Sequence, residues 1–456
     1  MKSLKINIKT KSTKMNLKHK KLITIVGVLT ASFSLKAQTS IYLPMTEAVE
    51  MAIQNNKNIR MADLEHKIAN ANFHQTDAIF LPQLSVGYQA VTTNNPLNAF
   101  GFLLQQSSVT AQDFDPARLN NPGASQNYGA SVDIRMPIFN LDQIYARKGA
   151  KLQEEVYKYK AQYTKDYIVF EIQKAYTQLQ FAYQARNVLE STLSDVKQIY
   201  QSVQNFYQQG LVQKSDVLNA QVQVNTVESA LNKAKSNISN ASDGLKLLMS
   251  IEQNQNGKSF LTDSLTQKEQ STDLYPVFSP LRADVLALRK AWEASNAMVK
   301  SSIMNFLPKI NAFGSYQFND AKIFRFKEDS YIAGISLSWT IFSGNQNRSK
   351  FRSANFQRTR MKLELDQYMD KSRLEMNKTA RDLQDLNFEI RKQQTSVDQA
   401  AEALRIINNR YQAGLISTTD LLSAQAQLSQ QKLLLAQTVM SYNITIYYQE
   451  LLTSIK

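Results

Sequence analysis

The chain carries one sequence plan in two copies, so its fold must be built from two similar halves. Residues 205–224 match residues 409–428 at ten of twenty positions. Two further matched pairs are a Phe-Leu-Pro sequence, at Phe80 and Phe306, and an Ile-Phe dipeptide, at Ile138 and Ile341. Because these landmarks occur in the same order in both halves, we expect an internal two-fold repeat of secondary structure.

Apolar residues with a seven-residue period indicate long helical hairpins in both halves. The period extends over residues 168–207, resumes over residues 217–248 after a Gly-Leu turn, and returns over residues 376–411. This pattern is typical of an antiparallel coiled coil. If residues 141–208 form one helix, a rise of ~1.5 Å per residue makes it roughly 100 Å long. Such a helix exceeds a globular domain, so we expect a rod or the wall of a tube.

Short segments between the helices predict β-strands with one apolar face. Residues 331–342 place Tyr331 and Trp339 on the apolar side and small or polar residues on the other, and residues 130–138 repeat the alternation. Two further segments fit the pattern less cleanly, residues 84–92 and 310–318. A period of two with an apolar exterior is typical of a transmembrane β-strand, although a half-buried strand of a soluble sheet has the same alternation.

The two aromatic residues of the clearest strand suggest how it would lie in a membrane. Tyr331 and Trp339 are eight residues apart on the same predicted face. On a strand tilted by about 40°, this separation covers roughly 20 Å along the membrane normal. We therefore interpret these side chains as aromatics at the two edges of an apolar membrane band.

The number of strands predicts how the sheet closes. An open sheet edge inside lipid leaves backbone N–H and C=O groups unpaired, at a cost of several kcal/mol each. Four strands leave two open edges, and the smallest closed single-chain barrels have about eight strands. Three chains would supply twelve strands. We therefore predict a homotrimer with a shared twelve-stranded transmembrane β-barrel in contact with lipid.

The first 37 residues have the composition of a secretory signal. They contain nine lysines and no acidic residue, an apolar run over residues 22–35 and a small residue at Ala37. The run is shorter than the ~20 apolar residues of a membrane-spanning helix, so a retained anchor is the weaker interpretation. Because these lysines carry most of the formal charge of +15, nucleic acid is not expected as a partner.

Composition also predicts the domain boundaries. Residues 93–127 and 252–280 are rich in polar residues, Gly and Pro without a sustained period, which indicates a long surface loop and a connector. The predicted organisation is a signal peptide over residues 1–37, a first repeat over 38–251, the connector over 252–280 and a second repeat over 281–456. Within the repeats, the strand pairs are predicted near 82–139 and 308–342, and the hairpins over 141–251 and 346–455.

No group of residues indicates catalysis. Beyond the signal segment the chain has two histidines, His66 and His74, which project about 80° apart on a helix. Cysteine is absent, so neither disulfides nor lipidation of an N-terminal cysteine is expected. Adjacent carboxylates such as Glu154 and Glu155 are interpreted as solvated helix surface. We therefore predict a non-enzymatic protein without a metal or cofactor site.

The two Gly-Leu turns carry one motif, YxxGLxxxxDxLxAQ. Its residues are Tyr207, Gly210, Leu211, Asp216, Leu218, Ala220 and Gln221, and again Tyr411, Gly414, Leu415, Asp420, Leu422, Ala424 and Gln425. Together with the signal segment, the FLP sequences, the strand pairs and the IF dipeptides, this order resembles the TolC family of outer-membrane efflux proteins. The resemblance covers essentially the whole chain beyond the signal segment.

The resemblance implies a mainly helical fold with a small β part. Long antiparallel hairpins would form a trimeric α-barrel, a tunnel through the periplasm, joined to the β-barrel in the outer membrane. The protein would be a passive export duct of a tripartite efflux or type I secretion system, docked to a periplasmic adaptor (membrane fusion) protein and an inner-membrane pump. The implied tip and docking residues are Tyr207, Gly210, Leu211, Tyr411, Gly414 and Leu415, and the implied pore-constriction residues are Asp420 and Asp216.

Two positions at the tip depart from the family pattern. Ile416 stands where an arginine can occur, and Ser423 stands where a second aspartate can occur. A salt-bridged closure is therefore not expected, and Tyr411 and Asp216 are candidates for a hydrogen-bonded one. For Asp420 two interpretations stay open: a ring of three carboxylates that attracts cations in a trimer, or a cap on the helix that follows the turn.

The alternative class of protein is an exported coiled-coil scaffold without a pore. A scaffold would share the signal segment and the heptads, but it would leave the strand pairs and the duplicated tips unexplained. Extraction separates the two classes, because a scaffold leaves the membrane in high salt or alkali, whereas a barrel needs detergent. The sequence specifies neither the exported substrate nor the class of pump.

Overall fold

The computed structural model describes residues 41–251, 259–269 and 278–453. The predicted signal segment and parts of the predicted connector lie outside these residues. The described chain is mainly helical with few strands, which confirms the predicted class of fold. Its α-helices are α1 (Met45–Asn55), α2 (Lys57–Gln75), α3 (Pro96–Gln105), α4 (Pro116–Asn120), α5 (Leu141–Gln208), α6 (Lys214–Leu248), α7 (Ala283–Met304), α8 (Gln346–Gln412) and α9 (Thr418–Thr453). Within the described ranges, none of the helices is long and apolar enough to cross a membrane.

The strands form one antiparallel sheet and one short parallel pair. The strands are β1 (Ile41–Tyr42), β2 (Gln83–Thr93), β3 (Ser125–Phe139), β4 (Phe260–Leu261), β5 (Lys309–Asp320) and β6 (Glu328–Ser338). The sheet has the order β2-β3-β5-β6, and β1 pairs with β4. The two strand pairs of the sequence repeat therefore lie side by side. Strands β2 and β6 are the two edges of the sheet within this chain.

Cross-strand register gives the sheet one apolar and one polar face. Val86 pairs with Val132, Val132 with Tyr316, and Tyr316 with Tyr331, so these four side chains share a face. The neighbouring register row brings Ser85, Asp133 and Ser315 together on the opposite face, with Ile332 of β6 at the end of the row. The apolar face is open: Tyr331 and Ile335, for example, are 80% and 72% exposed.

The last strand begins and ends earlier than the predicted segment 331–342. Strand β6 ends at Ser338, which pairs with Lys309, the first residue of β5. Beyond that residue β6 has no partner strand, so Trp339 lies outside the strand. The Trp339 indole N–H instead donates to the carbonyl of Phe306 over 3.0 Å. This bond ties the strand end to the second Phe-Leu-Pro sequence.

The predicted surface loop over residues 93–127 is largely helical, and the loop prediction is wrong in that respect. It contains α3, a 3₁₀ turn (Ala111–Phe114) and α4. Asn95 caps α3 by accepting from the Leu97 and Asn98 N–H groups, and Asp115 caps α4 in the same way. A proline follows each cap at the first helical position, where its missing N–H costs nothing.

The long helices are arranged in two rows that share α5 and α8. Next to the sheet, α2, α5, α7 and α8 contact one another in that order. At the far end α6 packs on α5, α5 on α9, and α9 on α8. The 68-residue helix α5 therefore extends from the sheet to the Gly-Leu turns.

The heptad residues of α5 contribute to two apolar cores along the helix. In the middle of the helix, Ile172, Tyr176 and Leu179 are fully buried against Leu245 and Met249. Nearer the turns, the apolar core is formed by Val196, Val203, Ala220, Val224, Val227, Tyr411, Leu421 and Leu422. The seven-residue period thus corresponds to buried contacts within the first hairpin and, nearer the turns, between the two hairpins.

Candidate functional site

The two Gly-Leu turns have the same backbone geometry. Gly210 and Gly414 have φ angles of 75° and 72°, in the left-handed region that favours glycine. Each turn closes its helix with a pair of bonds: Gly414 N–H donates to the Tyr411 carbonyl and Leu415 N–H to the Arg410 carbonyl, both over 2.9 Å. This is a Schellman arrangement, which satisfies the last helical carbonyls. The sequence motif is therefore a structural stop signal in both halves.

The equivalent tyrosines of the two motifs lie in different environments. Tyr411 is buried among the tip core, with its ring 5.8 Å from that of Phe206 and its hydroxyl 3.3 Å from Thr418 Oγ1. Tyr207 is 43% exposed. Leu211 and Leu415 are also exposed, at 67% and 66%. Three of the predicted docking side chains are therefore accessible on this chain, and Tyr411 is not.

The aspartates of both motifs make helix-capping contacts. The Asp420 carboxylate accepts from the Ser417 backbone N–H over 3.3 Å and from the Ser417 hydroxyl over 2.8 Å, and Ser417 Oγ accepts from the Asp420 N–H. Asp216 accepts from the Gln213 N–H over 3.0 Å in the other turn. These are reciprocal capping boxes. Asp420 is exposed on this chain, and Asp216 is half-buried.

Two polar contacts join the hairpins close to the turns. Gln425 Nε2 donates to the Asp195 carboxylate over 2.9 Å, and the Thr192 hydroxyl lies 3.0 Å from Ser429 Oγ in a buried position. Asp195 and Gln425 also line a groove of about 680 Å³, together with Tyr411. The motif contains Gln425, but its partner Asp195 lies 230 positions away and carries no local signal.

A buried ionic cluster around Glu154 lies nearer the sheet. The sequence had predicted solvated helix surface at this position. Glu154 is 6% exposed, accepting from His66 Nε2 and from Lys151 Nζ, each over 2.8 Å. Burial disfavours its charged form, but the hydrogen bonds and charges of Lys151 and His66 outweigh burial and hold the pKa of Glu154 below its usual value. The solvated interpretation of Glu154 is therefore wrong.

The neighbouring carboxylate shows how one helix position changes the environment. Glu155 pairs with Lys290 of α7 over 3.0 Å and remains partly exposed. Consecutive residues of a helix project ~100° apart. This difference is enough to place one side chain inside the contact between two helices and the next at the margin of that contact.

A second buried ionic cluster joins α7, α8 and α9. Arg282 and Asp284 form a buried ion pair, and the Tyr368 hydroxyl donates to Asp284 over 2.5 Å. Tyr448 donates to Glu375 over 3.2 Å, and burial together with that carboxylate raises the pKa of Tyr448 to about 12. Across the described ranges, no group of three or more His, Asp or Glu side chains is placed to hold a metal ion.

The aromatic residues predicted for membrane edges flank the open apolar face of the sheet. Tyr331 is 80% exposed on that face, and Trp339 is 57% exposed just beyond the strand end. At the end of the sheet nearer Tyr331, opposite to Trp339, the Phe324 ring stacks on Tyr88 with centroids 4.9 Å apart. The Tyr88–Phe324 contact adds an aromatic pair to this face that sequence analysis did not identify.

Comparison with known protein families identifies the chain. The family model described as outer membrane efflux protein matches residues 48–250 and 280–451. The chain belongs to the outer membrane efflux protein family. As a member of this family, it is an outer-membrane channel component of tripartite efflux or secretion systems.

Individual relatives of this efflux protein have diverged far in sequence. The cation efflux system protein CusC of Escherichia coli O157:H7 is 22% identical over 388 residues, which cover 83% of this chain and 79% of the relative. The alkaline protease secretion protein AprF of Pseudomonas aeruginosa is 20% identical over 397 residues, which cover 85% and 79%. The predicted resemblance to outer-membrane efflux proteins is confirmed.

The fold of the efflux protein matches solved channels more closely than its sequence does. The crystal structure of the Campylobacter jejuni CmeC outer membrane channel superposes with a TM-score of 0.77 at 16% identity, over 90% of this chain and 85% of that chain. At this identity the likeness shows the fold. The arrangement of hairpins and sheet is thus preserved although most side chains differ.

Proposed function

We propose that this efflux protein is a homotrimer whose three sheets close a twelve-stranded β-barrel and whose helices continue it as a tunnel. The observation that carries this proposal is the four-stranded sheet with one exposed apolar face and two unpaired edges, β2 and β6. An apolar face suits lipid, but lipid cannot satisfy the hydrogen bonds of an open edge. Pairing β6 of one protomer with β2 of the next removes every edge.

The helices next to the sheet support the same closure. α2 and α8 lie at opposite ends of the helical row, as β2 and β6 lie at opposite edges of the sheet. Each has a stripe of exposed apolar side chains that its own chain leaves uncovered. The stripes are Met61, Leu64 and Ile68 on α2, and Phe356, Leu363 and Leu374 on α8. In the trimer, α8 of one protomer would cover α2 of the next.

We propose further that the Gly-Leu turns form the periplasmic tip, where an adaptor protein and an inner-membrane pump engage the channel. Exposed Tyr207, Leu211 and Leu415 supply apolar contacts, and the capped turns hold them in fixed positions. The channel itself is passive. The two relatives named above belong to a cation efflux system and to protease secretion, which supports substrate selection by the pump rather than by this chain.

Trimer and pore are tested together on detergent-extracted protein. Native mass spectrometry should give three copies of the chain, and planar lipid bilayers should show ion conductance. A folded monomer, or release of the protein from membranes by alkali without detergent, would contradict the proposal. The second result would favour the scaffold without a pore.

The proposed constriction at Asp420 is tested by ion selectivity. The capping contacts of Asp420 leave its charge in place, so three copies around an axis would still attract cations. Asp420→Asn keeps the size and part of the capping capacity but removes the charge, and it should reduce the cation preference of the open channel. Asp216→Asn makes the same chemical change at the other implied constriction residue, and comparison of the two variants separates the contribution of each turn. Unchanged selectivity in Asp420→Asn would leave only the capping role.

A further inference from the structure

The helical segment between β2 and β3 is attached to the polar face of the sheet. Gln106 Nε2 donates to the Asn127 side-chain oxygen over 3.0 Å and to the Gln126 carbonyl over 2.8 Å. Asn127 donates in turn to the Asn319 side chain over 2.8 Å. Asn319 pairs with Gly129, so its side chain lies on the same face as Asn127. This is the polar face, which lines the lumen of the proposed barrel.

A second contact joins α3 to β6. Glu328, the first residue of β6, pairs with Asn319 in the register of the sheet. Ser107 has a φ angle of 47°, a left-handed conformation that is unfavourable for a residue with a Cβ. Strained residues persist where surrounding contacts hold them. The attachment is therefore a defined structure rather than a passing contact.

The segment is also organised internally. Thr110 and Asp113 form a reciprocal capping box around the 3₁₀ turn, and the Phe100 and Phe114 rings meet edge to face with centroids 5.6 Å apart. These contacts join α3 to the rest of the segment. The segment therefore has a fixed shape at the mouth of the sheet.

Helix α3 exposes apolar side chains on the side opposite its buried face. Ala99 and Gln106, seven residues apart, are buried, with 2% and 8% exposure. Leu97 and Leu104, also seven residues apart, are 81% and 58% exposed. At ~100° per residue, the two pairs project to opposite sides of the helix. Since Gln106 faces the sheet, Leu97 and Leu104 point away from it.

We propose that α3 of each protomer contacts its two symmetry copies through Leu97 and Leu104 and forms an apolar constriction at the outer mouth of the channel. The occupant of the exposed face is thus a second copy of this chain. The inference rests on the proposed trimer, in which the polar face surrounds the three-fold axis. A constriction lined by leucines resists wetting and slows the passage of ions and polar solutes.

The proposed barrel is narrow enough that the three copies of α3 must contact one another at its mouth. Twelve strands ~4.8 Å apart and tilted by about 40° give a circumference of roughly 75 Å and a diameter of about 24 Å. A helix with its side chains is ~10–12 Å across. Three helices attached to the inner wall would therefore occupy most of the opening.

Cysteine cross-linking tests the contact between copies. The chain has no cysteine, so Leu97→Cys and Leu104→Cys each introduce one thiol per protomer. Oxidation of the trimer should link protomers in pairs through these positions. Ile323→Cys is the control, because this residue is equally accessible at 59% exposure but lies in the β5–β6 loop, whose Phe324 stacks on Tyr88 of the apolar face. It should give no cross-link.

Conductance tests the constriction. The double variant Leu97→Asp/Leu104→Asp should raise single-channel conductance in planar bilayers on the order of threefold, because charged side chains hydrate the opening. Replacement of residues 94–124 by an Asn-Gly turn should raise it at least as much. Ile323→Asp adds one carboxylate per protomer at the same end and should change conductance little.

The outcomes separate this inference from the proposed trimeric channel. Wild-type trimers that conduct, together with absent cross-links at both leucine positions and unchanged conductance in both variants, would overturn the constriction alone. Wild-type protein that is monomeric or does not conduct would instead refute the proposed function. Cross-linking without a change in conductance would show a contact between copies that does not restrict the channel, and it would also overturn the constriction.

Discussion

At the scale of single residues, environment distinguishes side chains that look alike in sequence. Glu154 and Glu155 are adjacent acids on one helix, yet Glu154 is buried with His66 and Lys151, while Glu155 makes a partly exposed pair with Lys290. An exposed ion pair contributes about 0–1 kcal/mol, whereas a buried charged group that loses its partners costs more. The two positions should therefore respond differently to the same substitution.

We expect Glu154→Gln to lower the free energy of unfolding by about 1–3 kcal/mol at neutral pH, and Glu155→Gln to lower it by less than about 1 kcal/mol. The folded-state pKa of Glu154 is lowered, so its contribution is present above the unfolded pKa of about 4.3 and is lost as pH falls through the folded value. Thermal unfolding followed by circular dichroism should show the wild-type advantage over Glu154→Gln shrinking below about pH 4.3. Equal effects of the two variants would contradict this assignment.

At the scale of elements, the tip depends on two helix stops with the same geometry. Helices α5 and α8 end in left-handed glycines, and each next helix begins with a capping box. Among the described residues, no heavy atom beyond the adjacent residues lies within 4 Å of the position that a Cβ would take at Gly210 or Gly414. The requirement for glycine is thus a matter of backbone conformation and not of space.

Gly414→Val should therefore abolish export while the trimer and its membrane insertion persist. A β-branched residue in the left-handed region costs about 1–3 kcal/mol, which is enough to rearrange a turn but not to unfold helices of this length. Gly414→Asn is the control, because asparagine tolerates this conformation and should retain most export. Export of a known substrate in complemented cells and trimer content in extracts are the two measurements. Loss of the trimer in Gly414→Val would assign the turn to folding rather than to docking.

At the scale of the whole molecule, one chain leaves matching surfaces uncovered at its two sides. Strands β2 and β6 have unpaired edges, and α2 and α8 carry exposed apolar stripes beside them. Each buried leucine contributes about 1.5–3 kcal/mol, and a three-fold assembly multiplies every contact by three. The trimer should therefore be sensitive to a single charge in these stripes.

Leu64→Asp should shift detergent-extracted protein from trimer toward monomer, because it places a carboxylate in the α2 stripe where an apolar partner is expected. Lys67→Asp introduces the same side chain one turn along, at an exposed position outside the stripe, and should leave the trimer intact. Native mass spectrometry over a range of protein concentrations measures the shift. A fully trimeric Leu64→Asp protein would place the protomer interface elsewhere.

The sequence by itself determined the elements and their periodicity. Heptads, the duplicated Gly-Leu motif and strand alternation are local signals, set by helix and strand geometry, and they predicted a mainly helical chain with two hairpins and four strands. The left-handed turns at Gly210 and Gly414 were also predictable, because glycine adopts that conformation at the lowest cost. The two segments that fitted the alternation less cleanly, 84–92 and 310–318, are strands of the same sheet.

Only the tertiary structure decided what depends on partners distant in the sequence. β6 ends at Ser338 because β5 offers no further partner, and Glu154 is buried because α2 brings His66 to it. The helix within the predicted loop faces the polar side of the sheet because Gln106 and Asn127 meet there. Local periodicity reports which face a side chain occupies, but what covers that face is set by contacts between segments far apart in the chain.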